Sequence, residues 1–147
     1  LKTALAQHSL GQKRPAISSY KQAIALDSKL ALAYNNLASL TLVDPAARKD
    51  ALKWAERAVG LAPKAADFLD TLAWAQRANN QLPAALQSMQ KALALAPTNP
   101  EFLYRLAVLQ SESGKTTAAR DSLKKALAKG PFPSRDAAEK LLARLPG

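Results

Sequence analysis

A chain of 147 residues with 48% apolar content is long enough to bury a core and too apolar to be a disordered tail. It has no cysteine, which excludes disulfides, thiolate-bound zinc and cysteine nucleophiles. Twenty-one basic residues against eleven acidic give a net charge of +10, which favours acidic proteins, nucleic acid or an anionic surface as partners.

Alanine and leucine dominate the apolar share, and β-branched and aromatic residues are scarce, so an all-α fold is expected. No apolar run approaches the roughly 18 residues of a membrane span, so no transmembrane segment is expected. The chain opens on "LKTALAQHSL", inside a helical pattern, with neither an initiator Met nor a signal peptide. It is therefore expected to be a piece of a longer protein.

One phrase returns at a fixed interval. "AVGLAP" ends at Pro63, "ALALAP" at Pro97 and "KALAKGP" at Pro131, each 34 residues apart. A period of this size means stacked supersecondary units. In chain order the units are Leu1–Leu30, which lacks the first four positions of the frame, then Ala31–Ala65, Ala66–Asn99 and Pro100–Pro133. The second has an extra residue in "VDPAARKD".

Each unit is predicted to hold two amphipathic helices, in the third about Ala65–Ala78 and Pro83–Leu95. The turns between them are "SLGQKR", "NNQL" and "SESGKT", where Gly11, Asn80 and Gly114 suit a left-handed cap. Pro15 and Pro83 stand at the start of second helices, where a missing N–H costs nothing. "TNPE" sets Asn99 as N-cap, Pro100 at N1 and Glu101 in the first turn. Residues 134–147 read as one more helix, capped by Ser134, with Ala137, Leu141, Leu142 and Leu145 on its apolar face. Such a helix would cover the last unit's core.

Small residues recur where helices should cross. On first helices they are Ala4, Ala38, Ala73 and Ala107. On second helices they are Ala16, Ala51, Ala85 and Ala119, then Ala23, Ala58, Ala92 and Ala126. Leu37, Leu72 and Leu106, Tyr20, Met89 and Leu123, and Ile24, Val59, Leu93 and Leu127 fill the space around them.

With this small–large–small pattern and closing proline, the chain resembles the tetratricopeptide repeat family over residues 1–133. The resemblance implies a right-handed α-α superhelix, a solenoid of about four helix-turn-helix units with a C-terminal capping helix. It departs from the family at three places. The aromatic late in the first helix is replaced by Gln7, Thr41, Gln76 and Gln110, the first-helix glycine by alanine, and the first unit's proline by Ser28.

The remaining motifs read as structure. "SGKTT" at 113–117 is similar to the end of a phosphate loop, but Leu109 stands where that loop needs glycine, and a helix precedes it. His8 is the only histidine and has no second histidine or cysteine to share a metal. Glu101/Arg105, Asp121/Lys125 and Asp136/Lys140 are ordinary i,i+4 pairs. No enzyme, metal or cofactor is expected. Trp54 is expected to pack.

The resemblance further implies that first helices line a concave groove, with Asn35, Ser39 and Leu42, Asp70, Trp74 and Arg77, and Tyr104, Val108 and Ser111 facing it. Trp74 and Tyr104 could anchor a peptide there, or Trp74 could fill space between neighbouring first helices. By charge count the groove reads near neutral or slightly acidic. The basic excess reads as the convex face and edge: Lys13, Arg14, Lys21, Arg48, Lys49, Lys53, Arg57, Lys91, Lys115, Arg120, Lys124, Lys125 and Lys129. The family's carboxylate clamp is not carried over, since its positions hold Asn35, Asn36, Asp67, Thr71 and similar residues.

The leading expectation is a non-catalytic scaffold for a protein or peptide partner. The alternatives are binding of nucleic acid or another anionic polymer by the convex face, without sequence specificity, and the regulatory part of a larger enzyme. "FLDTLAWAQ" is similar to a phrase in the C-terminal region of bacterial tetratricopeptide lipoproteins of exopolysaccharide and exosortase systems, which implies a periplasmic, cell-envelope setting. The cut first unit offers an apolar end against which a second copy could pair.

Overall fold

The computed structural model describes residues 1–147, and every regular element in it is helical. The elements are α1 (Lys2–Ser9), α2 (Lys13–Leu26), α3 (Ala31–Thr41), a 3-10 turn (Pro45–Ala47), α4 (Arg48–Leu61), α5 (Ala66–Ala78), α6 (Leu82–Leu95), α7 (Pro100–Glu112), α8 (Thr116–Leu127) and α9 (Arg135–Arg144). They form antiparallel pairs, α1 with α2 through α7 with α8, and each pair stacks on the next into a right-handed solenoid. No helix is long and apolar enough to cross a membrane.

The turns follow their residue chemistry. Gly11, Asn80 and Gly114 adopt positive φ of 71°, 60° and 76°, which the Schellman-type reversal needs. The second unit reverses differently. No residue between α3 and α4 has positive φ. Its extra residue goes into the 3-10 turn, where Asp44 accepts from the Ala46 N–H at 3.0 Å. Asn99 caps α7, accepting from Phe102 N–H at 3.1 Å, as its sequence predicts.

All twelve recurring alanines are buried. With a methyl at each crossing the backbones come close, and the larger side chains fill the flanks. The core is four clusters in a row: around Tyr20 and Leu37; around Ala38, Ala55 and Leu72; around Met89, Phe102 and Leu109; and around Leu123 with Ala107, Ala119 and Ala138.

The polar departures from the family pattern have a structural reason. Gln7, Gln76 and Gln110 each accept a hydrogen bond from a serine hydroxyl on the paired helix: Ser19 at 2.6 Å, Ser88 at 2.7 Å and Ser122 at 2.8 Å. In the second unit Thr41 bonds back to the Leu37 carbonyl at 2.7 Å, and Trp54 occupies the serine's place. The next position, large as Tyr20, Met89 and Leu123, is Ala55 there. Trp54 thus supplies the volume that Ala55 gives up, and it packs into the first two clusters as expected of it.

Three local expectations are corrected. Ser134 precedes α9, but its hydroxyl and its N–H both go to the Glu101 carboxylate instead of capping the helix. Arg135 secures the preceding loop instead, donating to the carbonyls of Leu127 at 2.8 Å and Gly130 at 2.9 Å. Ala137 is exposed and Ala138 is buried, so the covering face is Ala138, Leu141, Leu142 and Leu145. Of the predicted i,i+4 pairs only Glu101–Arg105 forms, at 3.9 Å, and α9 pairs Arg135 with Glu139 at 3.2 Å.

Candidate functional site

Helices α3, α5 and α7 stand side by side with their turn-proximal ends on one face. Two adjoining pockets open there. The first, about 570 Å³, is lined by Leu42, Val43, Arg48, Trp74, Arg77, Ala78, Asn80 and Glu112. The second, about 280 Å³, is lined by Arg77, Tyr104, Val108, Ser111, Glu112, Leu141 and Arg144. Arg77 and Glu112 are common to both and form the ridge between them.

That ridge is a salt bridge in fork geometry. Arg77 Nε donates to both Glu112 oxygens at 2.9 Å, and Nη2 also reaches Oε1. The carboxylate's hydrogen bonds raise the Arg77 pKa further. A second pair lies deeper: Arg105 Nη1 donates to Asp70 Oδ2 at 2.8 Å. Both guanidiniums lie over the Trp74 ring, 5.0 Å for Arg77 and 4.8 Å for Arg105. Each cation–π contact on a partly desolvated indole adds about 0.5–2 kcal/mol. Trp74 also packs on the third cluster's core, so its ring is held by that core and by the two arginines.

Burial pushes the Asp70 carboxyl up to about 6, although Arg105 pulls the other way. Its Oδ1 is buried without a partner. Neighbouring Asp67 and Glu101 add to the upward shift.

The nine sequence-expected positions separate in space. Leu42, Trp74 and Arg77 line the first pocket, and Arg77, Tyr104, Val108 and Ser111 the second. Asp70 acts through Arg105. Asn35 is buried and bonds Asn36 at 3.2 Å, and Ser39 is exposed; neither lines a pocket.

Two pocket-lining residues escape sequence reasoning. The helical register alone puts Arg48 on the outer face with the second helices. The 3-10 turn starts α4 at Arg48, and Asn79 Nδ2 bonds the Arg48 carbonyl at 2.9 Å, drawing the start of α4 against the end of α5. Arg144 enters from α9. The lining of the two pockets is therefore more basic than a count over first helices gives. The outer basic residues are exposed except for Arg120, which is half-buried like Arg48.

His8 is part of a buried joint. Tyr20, fully buried, accepts from Asn36 Nδ2 at 3.0 Å, which leaves its own proton for His8 Nδ1, also at 3.0 Å. The phenol ties α1, α2 and α3 together, and burial raises its pKa. Nowhere do three His, Asp or Glu side chains converge as metal ligands would.

Stacked helix pairs with alanine crossings define a helical-repeat solenoid. Family models described as tetratricopeptide repeat match residues 3–30 and 76–145, together two thirds of the chain. The chain belongs to the tetratricopeptide repeat family, whose members generally mediate protein–protein interaction and are generally non-catalytic.

Solved structures agree on the fold. TTC0263, a thermophilic TPR protein in Thermus thermophilus, superposes with TM-score 0.81 at 22% identity, over 95% of this chain and 78% of its own. MamA from Desulfovibrio magneticus RS-1 gives TM-score 0.78 at 22% identity, over 87% of this chain and 72% of its own. The APC/C hetero-tetramer Cut9-Hcn1 gives 0.84 at 20% identity, over 96% of this chain but 28% of that one. No curated protein matches the chain.

Proposed function

We propose that the chain is a scaffold that docks a protein or peptide partner along the face of α3, α5 and α7. The observation that carries this reading is the pair of joined pockets with Trp74 in one and Tyr104 in the other. Half-exposed aromatics set in a pocket and held by a fixed surround are what interface hot spots are made of. The Arg77–Glu112 and Arg105–Asp70 pairs hold the Trp74 surround in place before a partner arrives, which lowers the ordering cost of binding.

The test is affinity capture with the chain beside a Trp74→Ala/Tyr104→Ala variant, at low and moderate salt. A partner retained by the chain and lost by at least about tenfold in affinity with the variant supports groove docking. Capture that ignores the variant and vanishes with salt contradicts it and moves the function to the basic outer face. The wider setting, a bacterial cell-envelope system, is part of the same proposal. Its support is the phrase from Phe68 to Gln76, and the identity of the captured partner checks it.

A further inference from the structure

We infer that the groove takes an acidic segment of a partner protein, with carboxylates meeting Arg48 and Arg144 at the two ends and an apolar side chain resting on Trp74. This rests on the groove reading above and adds the chemistry of the occupant. The charges of the two pockets divide into those already satisfied and those that are not. Arg77 spends its charge on Glu112, and Arg105 on Asp70 and Glu101. Arg48 and Arg144 have no carboxylate within 4.0 Å. Arg48 lines the first pocket and Arg144 the second, and the Arg77–Glu112 pair is common to both.

Arg48 is the stronger indicator. Its Nε is out of solvent and makes no hydrogen bond. A guanidinium N–H left without an acceptor is costly, and a carboxylate is the acceptor whose two oxygens fit its planar fork. The backbone of Arg48 is pinned by Asn79, so its position does not depend on a ligand.

Between the two arginines the lining is mixed: Leu42, Val43, Trp74, Val108 and Leu141 offer apolar surface on either side of the Arg77–Glu112 pair. Val43 is 60% exposed, a large apolar surface with nothing on it. The pattern that fits is acidic, apolar, acidic. A net charge of +10 would steer such a segment inward from a distance. A phosphate polymer fits less well, because Leu42, Val43, Val108 and Leu141 offer a seat to an apolar side chain and none to a phosphate.

The test is selection of random dodecapeptides displayed on phage against the whole chain at physiological salt. Enriched peptides are then measured by fluorescence anisotropy against four proteins: the chain, Arg48→Ala/Arg144→Ala, Trp74→Ala, and Lys124→Ala/Lys125→Ala. The last removes the same charge from the exposed face of α8. Thermal melts confirm that each variant folds.

The inference expects enriched peptides with two or more carboxylates around an apolar residue. Their affinity should fall about tenfold or more in the arginine variant, fall in Trp74→Ala, and change by less than about twofold in the lysine variant. Neutral or basic peptides that need Trp74 but ignore the arginines would overturn the acidic occupant and leave groove docking standing. Acidic peptides that respond equally to the arginine and lysine variants, or that an oligouridine displaces at equal concentration, would overturn it in favour of unspecific charge. Peptides indifferent to Trp74, or no enrichment at all, would overturn both readings.

Discussion

Single residues carry unusual electrostatics where α5 meets α7. Asp70 is held near pKa 6 by burial despite its bond to Arg105, against 3.8 for an ordinary aspartate. The folded chain therefore binds this proton more tightly than the unfolded chain does. The contribution of Asp70 to stability falls as pH rises from about 4 to about 6, and the cost is fully present at neutral pH. Thermal melts across that window should show the wild type gaining on Asp70→Asn as the buffer is acidified. Parallel curves would show that Asp70 titrates normally. Nothing in the sequence announces this shift. An aspartate one turn before a tryptophan looks like any helix-surface carboxylate until α7 brings Arg105 and Glu101 against it.

At the scale of the helix pair, the alanine ladder is legible in the sequence and its polar companion is not. Ala85 is fully buried at a crossing, so Ala85→Leu should overpack it and cost about 1–3 kcal/mol in denaturant titration; an unchanged midpoint would contradict the crossing. The glutamines at 7, 76 and 110 stand out only as missing aromatics. Their partners Ser19, Ser88 and Ser122 lie twelve residues on in each case, and that repeated spacing is the available signal. Gln110→Ala should leave the buried Ser122 hydroxyl without its acceptor and cost about 1–3 kcal/mol, while adding Ser122→Ala should recover part of that loss. A double variant no more stable than Gln110→Ala alone would show that the hydrogen bond is not what the pair contributes. The second unit shows why a pattern search misses such devices. Trp54 and Ala55 exchange the small and large roles of Ser19 and Tyr20, so volume is conserved while the residue pattern is inverted.

Across the whole molecule the repeat period sets the order and pairing of the helices, since phase agrees with a closing proline in three units and with a left-handed turn residue in three. The groove is only partly readable, because its lining depends on which residues meet across units. Trp74, Arg77 and Tyr104 follow from first-helix register, whereas Arg48 depends on the added residue in one turn and Arg144 on how α9 lies over the last pair. The protein is a row of four small cores, so the inner face is assembled from neighbours rather than built by any one unit. The deciding measurement is tryptophan emission in a Trp54→Phe variant, where Trp74 is the only indole, titrated with the partner recovered by capture. Docking in the groove predicts a saturable change in Trp74 emission whose midpoint matches the binding constant found by calorimetry. Undiminished binding by calorimetry with no change in emission would place the partner elsewhere on the solenoid.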